Sequence, residues 1–115
     1  MKKILIVDDK WSIRNSLLIG LKRIGYQVDS ANNVQNALFK LNESKFDVLI
    51  TDIKMPDVNG FILATIVKEL HPDIQIIFMS SYDHSDFKKR YKDLKEFSFV
   101  PKPINMMQLL SLLNI

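Results

Sequence analysis

The 115-residue chain has no cysteine, so disulfide staples and thiolate-bound metals are excluded and an intracellular home is permitted. No apolar run approaches the roughly 20 residues of a membrane-spanning helix. Met1-Lys2-Lys3 is a basic start, but only Ile4 to Val7 follow before two acids, too short a run for the apolar region of a signal peptide. No internal repeat, low-complexity tract or Gly/Ser linker interrupts the chain. Neither sign of charge dominates: 16 Lys and Arg against 13 Asp and Glu leave a net +3, which reads as a solvated surface rather than a nucleic-acid footprint. What is present is 47% hydrophobic and 25% charged, a globular composition long enough to bury one core, so a single domain over 1–115 is expected.

Strand-like and helix-like runs alternate along that domain, the pattern of βαβ units on a parallel sheet. Ile4-Leu5-Ile6-Val7 is continuously apolar, as a strand covered on both faces should be. Helical spacing over 12–24 places Ile13, Leu17, Leu21 and Ile24 on one face, and Gly25 supplies the stop. An edge strand over 26–31 precedes a helix with Asn32 or Asn33 as cap and Val34, Leu38 and Leu41 inward. A strand over 48–51 ends at Asp52. The next helix runs from about 59 to 70 with Ile62, Ile66 and Leu70 in register, and His71-Pro72 closes it. A strand over 74–79, a charged helix over 85–94, a short strand over 97–100 and a last helix over 106–114 capped by Asn105 complete the chain. Five strands and five helices predict a doubly wound, three-layer α/β/α sandwich with the flavodoxin-like strand order 2-1-3-4-5.

In such a sheet ligands bind at the carboxyl ends of the strands. Those ends deliver Asp8-Asp9, Asp52, Ser80 and Lys102. Three carboxylates in one cleft repel one another unless a cation sits among them. With only oxygen donors and no His or Cys nearby in sequence, that cation is hard, and Mg²⁺ fits. Lys102 and Ser80 suit a phosphoryl group, and an aspartate can itself be the nucleophile of phosphoryl transfer. Singly, each group has an ordinary structural reading: Asp8-Asp9 as a helix cap, Asp52 as turn chemistry, Ser80 as a strand-end hydroxyl, Lys102 as a solvated surface charge. The functional reading rests on four compatible strand ends at one edge.

Over essentially its whole length the sequence resembles the receiver domain of two-component response regulators, the CheY-like superfamily. The residues that carry the resemblance are Asp8-Asp9, Asp52-Ile53-Lys54-Met55-Pro56 followed by Gly60, Ser80, and Lys102-Pro103. The resemblance implies that Asp52 is the phosphoacceptor, taking a phosphoryl group from a phosphohistidine. It implies Mg²⁺, or Mn²⁺ in its place, held by Asp8, Asp9, Asp52 and the backbone carbonyl of Lys54. Lys102 would pair with Asp52 or its phosphate, Ser80 would hydrogen-bond the phosphate, and the Lys102–Pro103 peptide would be cis. Ser80 and the aromatic Phe99 would form the switch that reshapes the fourth helix, fifth strand and fifth helix. Phe99 stands where many members carry tyrosine, so such a switch works by ring packing. Lys95-Glu96 replaces the small Gly-Ala pair usual before the fifth strand. Lys54 and Tyr82 occupy positions that tune dephosphorylation in the family.

A sensor histidine kinase or phosphotransfer protein is therefore the expected upstream partner, the cytoplasm the expected compartment, and no direct nucleic-acid or membrane contact is expected. The last helix is apolar nearly all round, so an output segment docking on the fourth and fifth helices, or a phosphorylation-dependent dimer, is the expected downstream contact. These residues include no helix-turn-helix or glycine-rich kinase loop, which fits a stand-alone receiver and a piece of a longer regulator equally. A signalling phosphoacceptor rather than an enzyme is expected. The alternatives are a phosphorylation-independent receiver-like interaction module and, further off, an Asp-nucleophile phosphatase. The phosphatase requires a second acid two residues after the nucleophile, where Lys54 stands. A flavin module of the same topology requires a Ser/Thr/Gly-rich loop after the first strand, where Asp8-Asp9-Lys10 stands.

Overall fold

The fold is taken from a computed structural model, which describes residues 2–54, 60–80 and 97–113. Strands β1 (Lys3–Val7), β2 (Gln27–Ala31), β3 (Val48–Asp52), β4 (Gln75–Ser80) and β5 (Ser98–Pro101) form one sheet in the order β2-β1-β3-β4-β5. Every adjacent pair is parallel. Helices α1 (Trp11–Ile24), α2 (Val34–Glu43), α3 (Gly60–Leu70) and α4 (Met106–Leu112) pack around it. The helix expected over 85–94 lies outside the described residues, so the last helix is α4 here.

The continuously apolar strands follow from the layering. Successive side chains of a strand point to opposite faces, so a sheet covered on both sides needs apolar residues at every position. Ile4, Ile6, Val48, Ile50, Ile77 and Met79 join Leu17 and Leu21 of α1 and Leu109 of α4 in one core. The alternate residues Leu5, Val7, Leu49, Ile76 and Phe78 join Val34, Ala37 and Leu41 of α2 and Leu63, Ala64 and Val67 of α3 in the other. The result is the three-layer sandwich of the flavodoxin-like fold.

Local chemistry sets the helix ends. Gly25 takes φ 114°, in the left-handed region, and its N–H donates to the Lys22 carbonyl at 3.0 Å while the Tyr26 N–H reaches the Leu21 carbonyl at 3.2 Å. This paired closure is the Schellman stop, which favours glycine. The Asn33 side chain accepts from the Asn36 N–H and Asn105 accepts from the Gln108 N–H, so both asparagines cap as expected.

Two helix faces differ from the sequence reading. In α3, Ile62 and Leu70 are 50% and 65% exposed, and the buried residues are Gly60, Phe61, Leu63, Ala64 and Val67. Residues 60–67 are apolar at every position but Thr65, so two helical stripes are available and spacing cannot choose between them. The contact of Gly60 with β3 described below turns the 60-63-64-67 stripe inward. In α1 only Leu17 and Leu21 are fully buried, and Ile24, the final helical residue, is exposed. Val28 of β2 supplies the next buried side chain on that face.

Candidate functional site

The strand register brings the site residues level. Val7 pairs with Thr51, Thr51 with Phe78, and Phe78 with Phe99, so one row of the sheet runs through four strands just before their carboxyl ends. The next residues along are Asp8, Asp52 and Met79, followed by Ser80, which pairs with Pro101, the residue before Lys102. The Lys102 N–H donates to the Ser80 carbonyl at 2.8 Å, which anchors the chain leaving β5 to the end of β4. The Lys102–Pro103 peptide is cis.

At that edge Lys102 bridges two acids. Its Nζ donates to Asp8 Oδ2 at 2.8 Å and lies 3.2 Å from Asp52 Oδ2. Asp8 is fully buried and its other oxygen, Oδ1, accepts the Lys10 N–H at 2.9 Å. Asp52 is also buried, and its Oδ1 accepts the Ile53 N–H at 2.8 Å. Burial pushes the Asp52 carboxyl above its ordinary 3.8; the Lys102 charge opposes that shift and the Asp8 charge adds to it. Burial alone would lower the Lys102 ammonium, but the hydrogen bond to Asp8 and the charge of Asp52 outweigh it and hold Lys102 above 10.5. One ammonium thus offsets one of the three carboxylate charges at this edge and leaves it net negative.

Asp8, Asp9 and Asp52 each offer a carboxylate oxygen within 4.8 Å of the others. An oxygen-only donor set of high negative charge, partly open to water through the exposed Asp9, fits a hard divalent cation such as Mg²⁺ or Mn²⁺. Lys54, expected to contribute its carbonyl, is exposed two residues beyond Asp52. Ser80 is buried at the end of β4. Phe99 is half-buried in β5, with its ring 5.4 Å from that of Phe78 and tilted by 36°. Tyr82 and the Met55–Asn59 part of the motif lie outside the described residues.

Two contacts at the site go beyond the sequence reading: the packing that Gly60 of the motif allows, and a bond made by Arg14, which the sequence does not single out. A Cβ on Gly60 would come within 2.2 Å of the Asp52 carbonyl oxygen, so only glycine lets α3 start this close to the strand end. The Gly60 N–H in turn donates to the Ile53 carbonyl at 2.7 Å. Arg14, in the first turns of α1, donates from its guanidinium to the Asp8 backbone carbonyl at 2.8 Å. Arginine is common enough near helix starts that Arg14 does not stand out without the fold.

Comparison with known proteins agrees with this geometry. The sequence profile of the response regulator receiver domain matches residues 4–114. The chain is 32% identical over 111 residues to the DNA-binding transcriptional regulator NtrC of Azospirillum brasilense, covering 96% of this chain and 23% of that protein. It spans about a quarter or less of the length of the first curated relatives it matches. Among solved structures it superposes on the chemotaxis protein CheY4 of Vibrio cholerae with a TM-score of 0.89 at 31% identity, over 96% of this chain and 94% of that one. The response regulator protein TrrA of Thermotoga maritima, solved in complex with Mg(2+)-BeF, gives 0.81 at 34% identity over 96% and 95%. The chain belongs to the response regulator receiver domain family.

Proposed function

We propose that this receiver domain takes a phosphoryl group onto Asp52 from a phosphohistidine of a sensor histidine kinase or phosphotransfer protein, in a Mg²⁺-dependent reaction. A carboxylate oxygen of Asp52 bonds to phosphorus as the bond from phosphorus to the donor's imidazole nitrogen breaks, leaving an acyl phosphate and an imidazole that recovers a proton. The observation that carries this reading is the Lys102 ammonium, 3.2 Å from Asp52 and hydrogen-bonded to the buried Asp8. It is placed to neutralise oxygens of the arriving group without moving far.

Asp8, Asp9, Asp52 and the Lys54 carbonyl are the proposed ligands of Mg²⁺ or Mn²⁺. Bound there, the ion supplies charge neutralisation to the phosphoryl oxygens. That the structural relative TrrA was solved in complex with Mg(2+)-BeF supports the choice of ion. Ser80, which pairs with Pro101, the residue before Lys102, is the proposed hydroxyl partner of the phosphate. A movement of Ser80 toward the phosphate would vacate space for the Phe99 ring to fill, and the surface of the helix expected over 85–94, β5 and α4 would carry the signal, with Lys54 and Tyr82 setting its lifetime. An output partner on that surface, or a phosphorylation-dependent dimer, completes the proposal, with action in the cytoplasm.

Incubation with a small acyl or amido phosphate and Mg²⁺ should add one phosphoryl group by intact mass, and Asp52→Asn should abolish the addition. A label that persists in Asp52→Asn would move the acceptor elsewhere.

A further inference from the structure

The three acids of the site are held unequally. Asp8 is fixed by the Lys10 N–H and Lys102, and Asp52 by the Ile53 N–H and Lys102. The Asp9 carboxylate is exposed and makes no hydrogen bond or ion pair among the described residues. Its direction depends on the backbone that carries it. The peptide joining Asp8 to Asp9 has left the sheet: the Asp8 N–H still donates to the Ala31 carbonyl, but its carbonyl is taken by Arg14 Nη1 at 2.8 Å. Arg14 is itself half-buried and mounted on α1, a rigid element that Leu17 and Leu21 pack onto the sheet.

We propose that Arg14 is a positioning residue for the candidate cation site: by gripping the Asp8 carbonyl it fixes the Asp8–Asp9 peptide and so aims the Asp9 carboxylate at the cluster. This rests on the reading of the acids as a cation site. A purely electrostatic role makes the opposite prediction, because removing a positive charge beside three carboxylates strengthens cation binding. The sign of the change therefore separates the two.

Mn²⁺ affinity is measured by electron paramagnetic resonance on the folded full chain, with Tm recorded in chelator, for the wild type, Arg14→Met and Arg14→Lys. Loss of a partner that orients a ligand costs roughly 10- to 100-fold in metal affinity, so Arg14→Met should weaken Mn²⁺ binding by about tenfold. Arg14→Lys, which keeps a donor and the charge, should recover part of the loss. Unchanged or tighter binding in Arg14→Met overturns the proposal, as does equal weakening in both variants. Amide NMR shifts without metal give an independent reading: Arg14→Met should move the Asp9 and Lys10 signals, and unmoved signals overturn the clamp. If the wild type binds no Mn²⁺ while those signals move, the clamp stands and the cation reading falls. Should Arg14→Met fail to fold, Arg14→Lys carries both measurements.

Discussion

Lys102→Met isolates the charge balance of the site, because methionine keeps much of the stem and removes only the ammonium. In the wild type the ammonium lies 2.8 Å from Asp8 and 3.2 Å from Asp52, with the Lys102 side chain only 12% exposed. Without it, Asp8 and Asp52 face each other in a buried place. Their nearer oxygens lie within 4.8 Å of each other, and at that limit and an effective dielectric of about 20 two such charges repel by about 3.5 kcal/mol. Removing one partner of a buried ion pair costs about 3 to 5 kcal/mol, the same range.

The protein has one escape, which is to protonate Asp52. From the ordinary value of 3.8, that costs about 4.4 kcal/mol at pH 7 and about 1.6 kcal/mol at pH 5. At pH 7 repulsion is the cheaper state and the full penalty stands, whereas at pH 5 protonation is cheaper and caps it. The deficit should therefore be about 3.5 kcal/mol at pH 7 and shrink by about 2 kcal/mol at pH 5. The sign follows from linkage. Asp52 already sits above 3.8 in the folded chain, so between the two values the folded state holds more protons and stability falls as pH rises. Lys102→Met extends that window upward. Urea denaturation in chelator at pH 5, 6 and 7 measures the deficit, and a repeat in Mg²⁺ should restore more stability to Lys102→Met than to the wild type, since the cation replaces the lost ammonium. Lys40→Met is the control: its pair with Asp29 is 35% and 48% exposed, and losing it should cost under about 1 kcal/mol. A Lys102→Met deficit that is flat from pH 5 to 7 and indifferent to Mg²⁺ would refute the counter-ion argument and leave Lys102 as packing alone.

Two further substitutions test the fold that positions the site. Gly60→Ala places a methyl group 2.2 Å from the Asp52 carbonyl, so α3 or the end of β3 must shift; a loss of about 1 to 3 kcal/mol is expected, with a fall in acyl-phosphate labelling of Asp52, and an unchanged variant would show that the approach is not tight. On α3, Leu70→Lys should change stability by less than about 0.5 kcal/mol, while Val67→Ala, 1% exposed in the wild type, should cost about 1 kcal/mol or more; the reverse ranking would restore the face first read from the spacing.

The sheet was legible because its information is local. Continuous runs such as Ile4–Val7 and Val48–Thr51 have few other uses in a chain of this composition, and the polar residue after each run marks where it leaves the core. Asp8, Asp52, Ser80 and Lys102 could therefore be collected from four separate places before any fold was known. The rotation of α3 was not legible, because an almost uniformly apolar segment carries two equivalent stripes and the choice is made by a contact with β3. Nor was the grip of Arg14 on Asp8. A side chain to backbone bond across six residues depends on how the loop turns, and the residue types do not encode that.

Gly60, Arg14 and Lys102 bear on the site through different atoms of its acids. Gly60 lets α3 approach the Asp52 carbonyl, Arg14 holds the Asp8 carbonyl, and Lys102 joins the two carboxylates. The backbone on each side of the cleft is thus set independently of the charge between them. Losing the ammonium should raise the electrostatic cost of the site without displacing the acids, whereas losing the glycine should displace Asp52 while the charges remain. If the proposed chemistry is right, the two kinds of variant must separate. Lys102→Met should keep Mn²⁺ binding or improve it, because a competing positive charge has gone, yet label poorly; Gly60→Ala should lose binding and labelling together. Equal loss of both properties in both variants would mean that position and charge are not separable at this site.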